Sequence, residues 1–244
     1  VDRAYDRVAL SIAAFEGSKE SNAFTSKIDA HRAGRYDFTT QEELGRQIFR
    51  GKGKCSLCHV GTPGPGAAPP LFTDFTYDNL GVPKNPENPF LLSNPDWRDP
   101  GLQGFLENVP GFADYAPSNL GKQKVPTLRN VGLGSCEALE YDEDAKKSKN
   151  KHKNKCITKA YMHNGYFKSL WQVVHFYNTA DVKQICPEDF TVDEALAFDG
   201  GEGCWPAPEV GENVNREELG DLRLTADEED ALVAFMMAMS DGYR

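Results

Sequence analysis

The 244-residue chain is 39% hydrophobic and 26% charged, the balance of an ordinary globular protein with apolar material for one large domain. Its net charge of -10 argues against nucleic acid or an anionic membrane as partner, and no apolar run approaches the roughly 20 residues of a membrane span. The chain opens Val1-Asp2 without initiator methionine or signal peptide, the expectation for a processed mature chain or a trimmed fragment.

The first predicted element is a helix over 4–16, with Val8, Ile12 and Phe15 at helical spacing, followed by a polar linker through Ser26. A second helix starts at Thr40, where Thr40 and Glu43 form a capping box, and its apolar positions Leu44, Ile48 and Phe49 lead into Cys55-Ser56-Leu57-Cys58-His59. Two thiols three positions apart followed by histidine form the attachment signature of a c-type haem. Each thiol adds across a vinyl group to make a thioether, and the adjacent His59 is placed to ligate iron axially. A redox Cys-x-x-Cys pair needs no histidine at that position, and no second Cys-x-x-Cys exists to complete a zinc site.

Beyond His59, the glycines and prolines from Gly61 to Pro70 suit an irregular segment folded closely over a haem edge. A short helix is expected over 102–108, and Val125-Pro126-Thr127-Leu128-Arg129-Asn130 reads as a turn, with Arg129 a candidate partner for a haem propionate. A helix over 169–178 carries Leu170, Val173, Val174 and Tyr177 on one side. The last helix has Thr225 as N-cap, Glu228 three residues on, and Leu232, Phe235, Met236 and Met239 on one face. That face calls for the helix before the haem motif as its partner. No period-2 stretch is long enough for a sheet, so the fold class is all-α: a c-type cytochrome fold with helices joined by long Pro/Gly-rich loops.

Subtracting Cys55 and Cys58 leaves Cys136, Cys156, Cys186 and Cys204, for which three connectivities exist; sequence order favours Cys136 with Cys156 and Cys186 with Cys204. Two disulfides need an oxidising compartment, periplasmic or otherwise exported. The reading is a single haem domain over 1–244, with an N-terminal helical extension (1–38) and disulfide-tied loop insertions (136–156 and 186–204). Lys146, Lys147, Lys149, Lys151, Lys153 and Lys155, with His152 among them, read as a solvated basic loop or as a docking patch for an acidic redox protein.

Several segments together resemble the C-terminal haem domain of the bacterial di-haem cytochrome c peroxidases, on the side of their MauG-type members. The resemblance is carried by Ala4-Tyr5-Asp6-Arg7-Val8-Ala9, Gly51-Lys52-Gly53-Lys54 and Val125-Pro126-Thr127-Leu128-Arg129-Asn130. It continues through Tyr161-Met162-His163-Asn164-Gly165, Val173-Val174-His175-Phe176-Tyr177-Asn178 and Cys204-Trp205-Pro206-Ala207-Pro208-Glu209. In that family an N-terminal haem reacts with peroxide and a C-terminal haem stores and relays electrons. This chain has one haem motif, so the peroxide-site half is not in it. Thr158 and the carbonyl of Ala160 match positions that supply part of the family's interdomain calcium site, where Ala160 replaces a common proline.

By the same resemblance Tyr177 falls where peroxidases carry a ligating methionine and MauG-type proteins a tyrosine. Tyr177 is the first choice for the distal iron ligand and Met162 the second, thioether sulfur being usual in electron-carrying cytochromes. His163 is expected to hydrogen-bond in its polar turn, His175 to be a satisfied helical histidine, and Tyr161, Tyr166 and Trp171 to pack near the cofactor or line an electron path. The resemblance implies one covalent haem c, single-electron exchange with a small redox protein, and association with a second haem domain or subunit. The alternative is a peroxide-dependent peroxidase or MauG-type oxidase, alone or as half of a split enzyme.

Overall fold

The structure, a computed structural model, describes residues 2–141 and 156–243; the lysine-rich stretch from Lys146 to Lys155 lies outside the described residues. The described residues are mostly helical, with long irregular connections and a single two-residue strand pair, β1 (Tyr77–Asp78) against β2 (Gln123–Lys124), antiparallel with Tyr77 opposite Lys124. That pair is too short to carry the period-2 signal by which strands are read from sequence.

Helix α1 (Asp2–Glu16) forms as expected, but its apolar side chains are not buried: Tyr5, Val8, Leu10, Ile12 and Phe15 are all exposed. Helix α2 (Lys27–Arg32) was not anticipated beyond the polar linker. It starts on a capping box in which Ser26 accepts from the Asp29 amide and Asp29 accepts from the Ser26 amide, and it buries Ile28 and Ala30. Helix α3 (Thr40–Arg50) starts at Thr40 as the sequence suggests, but its capping box lies one residue earlier. Thr39, not Thr40, is the N-cap, and Glu42, not Glu43, closes the box. Glu43 is instead paired with Arg46 one turn on.

The short helices α4 (Leu102–Leu106) and α5 (Ala138–Tyr141) lie along the irregular middle of the chain. Helix α6 (Leu170–Thr179) is capped by Ser169 and Gln172. Helix α7 (Val192–Ala197) is started by Thr191 and Glu194 within the segment closed by the Cys186–Cys204 disulfide. Both disulfides follow sequence order, Cys136–Cys156 closing the other loop.

Helix α8 (Ala226–Met237) has its expected Thr225–Glu228 box but no single apolar face. Ala231, Leu232, Val233, Ala234, Phe235 and Met236 are buried consecutively, as in a helix enclosed on all sides. Its main partner is α3, as the sequence suggested. The crossing is close because of one residue: a methyl group on Gly45 would lie 1.9 Å from the Ala231 carbonyl oxygen. Around the crossing, Ile48, Phe49, Leu128, Leu170, Val174, Leu232 and Met236 form the main core.

A second core gathers Tyr166, Phe167, Phe176 and Trp205. The two cores meet along α6, which carries a polar clamp among its apolar residues. Asn178 bonds both backbone groups of Leu224, at 2.8 and 3.0 Å, and donates to the buried carboxylate of Glu229 at 2.6 Å. Glu229 also bonds His175 Nδ1 at 3.0 Å. A buried carboxylate is tolerated when its lone pairs are satisfied in this way. No helix of the described residues is long and apolar enough to cross a membrane.

Candidate haem site

The chain leaves α3 through Gly51 and turns sharply at Lys54, whose φ of +56° is left-handed, into the tight turn Cys55–Leu57. The His59 amide closes the motif on the Cys55 carbonyl at 2.9 Å. This places Cys55 and His59 on the wall of a cavity of about 820 Å³, within the usual size range for small-molecule and cofactor sites. Phe49 of α3, Leu170, Val174 and Tyr177 of α6, and Leu232 and Met236 of α8 give it apolar walls, and residues 157–163 complete the rim.

His59 Nδ1 lies 2.8 Å from the Phe72 carbonyl oxygen. A carbonyl only accepts, so Nδ1 carries the proton and the Nε2 lone pair is left for a metal, the tautomer-fixing device of ligating histidines. Burial pushes the imidazole pKa down and keeps the ring neutral, the form that binds iron. Cys55 and Cys58 are not joined to each other. Burial pushes the Cys55 thiol up to about 12; burial and the nearby Glu218 carboxylate do the same for Cys58. A redox Cys-x-x-Cys pair instead has a depressed thiol pKa, so these thiols lack its character.

Among the described residues the only grouping of metal-binding donors is Cys58 with Asp78 and Glu218. Asn215 Nδ2 already ties those carboxylates together, 2.6 Å from Asp78 and 2.7 Å from Glu218. Haem attachment would also take the Cys58 sulfur out of that set.

The cavity fits a haem on a further count. Gln123 lines it, and Gln123 Nε2 is buried with no hydrogen-bond partner among the described residues, a donor in want of an acceptor such as a propionate. The ammonium-bearing Lys124 lines the same wall. Sequence reasoning missed both, since neither belongs to a motif and the β1–β2 pair that aligns them carries no pattern of its own.

The remaining candidates divide. Tyr177, Met162, Thr158 and His163 all line the cavity. Burial first, then the cysteines and Asp78, push the Tyr177 phenol well above its ordinary value, so ionising it would need a compensating cation such as ferric iron. Met162 has a left-handed φ of +67°, unusual for a non-glycine residue and typical of functional turns. His163 Nε2 is 3.0 Å from the Glu209 carboxylate. His175 is stacked on Trp171 and bonded to Glu229. Tyr161 lines the cavity, whereas Tyr166 donates to the Phe190 carbonyl in the second core.

Arg129 is drawn elsewhere. Its guanidinium meets both carboxylate oxygens of Asp29, at 2.6 and 2.9 Å, donates to the Pro70 carbonyl at 2.8 Å, and is not among the cavity-lining residues. The glycine- and proline-rich segment after His59 also turns away: no residue from Gly61 to Pro70 lines the cavity, and Gly61 borders a smaller one.

No protein-family model matches the chain. It is 33% identical over 243 residues to methylamine utilization protein MauG of Paracoccus denitrificans, across 98% of this chain and 52% of that protein. The chain belongs to the family of MauG and the di-haem cytochrome c peroxidases. Within it, cytochrome-c peroxidase IdrP2 of Denitromonas iodatirespirans is 29% identical over 214 residues, 83% of this chain and 40% of its own length. The di-haem peroxidase BthA of Burkholderia thailandensis superposes with a TM-score of 0.62 at 26% identity, over 92% of this chain and 48% of that one. A MauG-like protein associated with microbial copper homeostasis, 18% identical with a TM-score of 0.53, shares the fold. The chain thus spans about half the length of the relatives it matches. Its family implies haem c as the cofactor.

Proposed function

We propose that this chain is an exported electron-transfer domain with one covalent haem c, corresponding to the electron-relay haem domain of the di-haem peroxidases. The observation that carries this reading is His59: a neutral imidazole, held by Phe72 through Nδ1, offering Nε2 to an apolar cavity beside two unpaired thiols. Haem bound there supplies a one-electron ferric/ferrous couple. Cys55 and Cys58 tether it, His59 serves as proximal ligand, and Gln123 donates to a propionate. Tyr177 is the distal ligand of first choice, with Met162 the second. The apolar walls from α3, α6 and α8 would limit water's access to the bound group, which disfavours side reactions.

The two disulfides support a periplasmic or otherwise exported location, and a small redox protein is the partner this role requires. A second reading, peroxide-dependent oxidation, is favoured by the names of the relatives and by the chain spanning about half of them. On that reading the second haem comes from another domain or subunit, with Thr158 and the Ala160 carbonyl completing a shared calcium site.

Low-temperature EPR of the ferric protein, with and without hydrogen peroxide, separates the two. A purely low-spin signal unchanged by peroxide is expected for the electron carrier. A large high-spin signal that peroxide abolishes would replace that reading with the peroxidase one.

A further inference from the structure

Across Phe49 from the haem cavity lies a second cavity of about 330 Å³. Its lining is divided in chemistry. Phe38, Phe49, Phe72 and Phe235 are aromatic, whereas His31, Arg32, Arg46 and Arg50 are basic. Of the three guanidiniums, Arg46 is occupied by Glu43, at 2.6 and 2.7 Å. Arg32 and Arg50 have no carboxylate partner among the described residues, and Arg32 reaches only the Gly61 carbonyl, at 3.5 Å. The imidazole of His31 stacks on Phe38 with ring centres 4.1 Å apart and spends Nδ1 on the Tyr36 carbonyl.

The position of Arg50 in the last turn of α3 suits the negative end of that helix, which is reason enough for one cation there. Arg32 likewise ends the short helix α2, but a helix terminus does not account for two such cations meeting over one aromatic floor. Two unneutralised guanidiniums sharing a cavity, in a chain of net charge -10, make a local site for an anion. The floor selects among anions. An inorganic oxyanion would leave the aromatic walls unused and pay for desolvation against them, while a small ring bearing a carboxylate satisfies both halves.

We propose that this second cavity binds a small aromatic carboxylate, with its ring against Phe38, Phe49 and Phe72 and its carboxylate taken by Arg32 and Arg50. The site stands independently of the electron-transfer reading, because Arg32, Arg50, Phe38 and Phe72 do not line the haem cavity and Phe49 alone of these residues borders both. It borders the haem nonetheless: Phe72, left-handed at φ +52°, supplies the carbonyl that holds His59, and Ser56 lies between the two attachment cysteines.

The test is isothermal titration of the haem-loaded protein with benzoate, its neutral isostere benzamide and inorganic phosphate. Saturable benzoate binding in about the millimolar range or tighter is expected, with benzamide at least about tenfold weaker and R32Q/R50Q losing the benzoate signal to a similar degree. Arg32 and Arg50 are exposed, so the double variant should keep its circular dichroism spectrum. Benzoate and benzamide binding equally well, phosphate binding as tightly as benzoate, or no saturable benzoate signal would each overturn the proposal.

Discussion

Gly45 and Ala231 mark a close approach of α3 and α8: a Cβ on Gly45 would stand 1.9 Å from the Ala231 carbonyl oxygen and 2.8 Å from the Phe235 Cβ. The clash is with backbone, which cannot rotate aside, so Gly45→Ala must part the helices that carry Phe49, Leu232 and Met236 to the haem cavity. The expected loss of stability is about 3 kcal/mol, at the upper end for overpacking. Urea unfolding measures it, and an unchanged midpoint would show that the crossing is looser than described.

The Asp29–Arg129 pair is buried, with side-chain exposures of 10% and 7%. Burial raises the Asp29 pKa, but the hydrogen bonds from Arg129 and Ser26 outweigh it, and the result lies below the ordinary 3.8. Because the unfolded chain takes up the proton at higher pH than the folded one, the pair's stabilisation is present above pH 3.8. It is lost as pH falls through the lower folded value. Asp29→Asn leaves the guanidinium buried without its counter-charge and should cost about 3 kcal/mol at neutral pH. It should also flatten the acid limb of stability against pH, and an acid limb as steep as the parent's would assign that limb to other carboxylates.

Replacing the distal ligand should move the haem potential in a known direction, since a phenolate favours ferric iron more than a thioether does. Tyr177→Met is expected to raise the midpoint potential by on the order of 0.1 V, a fraction of the roughly 0.8 V that axial ligands span. Met162→Leu should leave the potential and the low-spin spectrum in place. The opposite pattern in spectroelectrochemistry would hand the ligand role to Met162.

Removing the buried disulfide by Cys186→Ser with Cys204→Ser opens a loop of 18 residues and should destabilise the protein by about 3 kcal/mol. The thermal midpoint of the double variant reports this directly. Haem content should stay the same, because neither cysteine borders the haem cavity; a drop in haem loading would tie the disulfide-closed loop to the site.

The features legible in the sequence are those set over a few residues. Cys55, Cys58 and His59 lie within one turn, and the Thr225 cap closes on a side chain three residues away; the Ser169 and Thr191 boxes have the same spacing but were not anticipated. The missed helix α2 carries the same signal in Ser26 and Asp29, and the Thr39–Glu42 box was displaced by one because the adjacent Thr40–Glu43 spacing mimics it. Local hydrogen bonding of this kind is written in short spacings and survives any tertiary arrangement.

Tertiary structure decided the rest, because long-range partners depend on how closely the chain is brought together. Arg129 carries the right charge for a propionate, yet Asp29, a hundred positions earlier, holds it once α2 folds against the end of α8. Gln123 has no motif to mark it and becomes a cavity donor only when β2 pairs with β1. The apolar residues of α1 follow a helical spacing but remain exposed, since periodicity fixes that a face exists and packing alone decides whether it is covered.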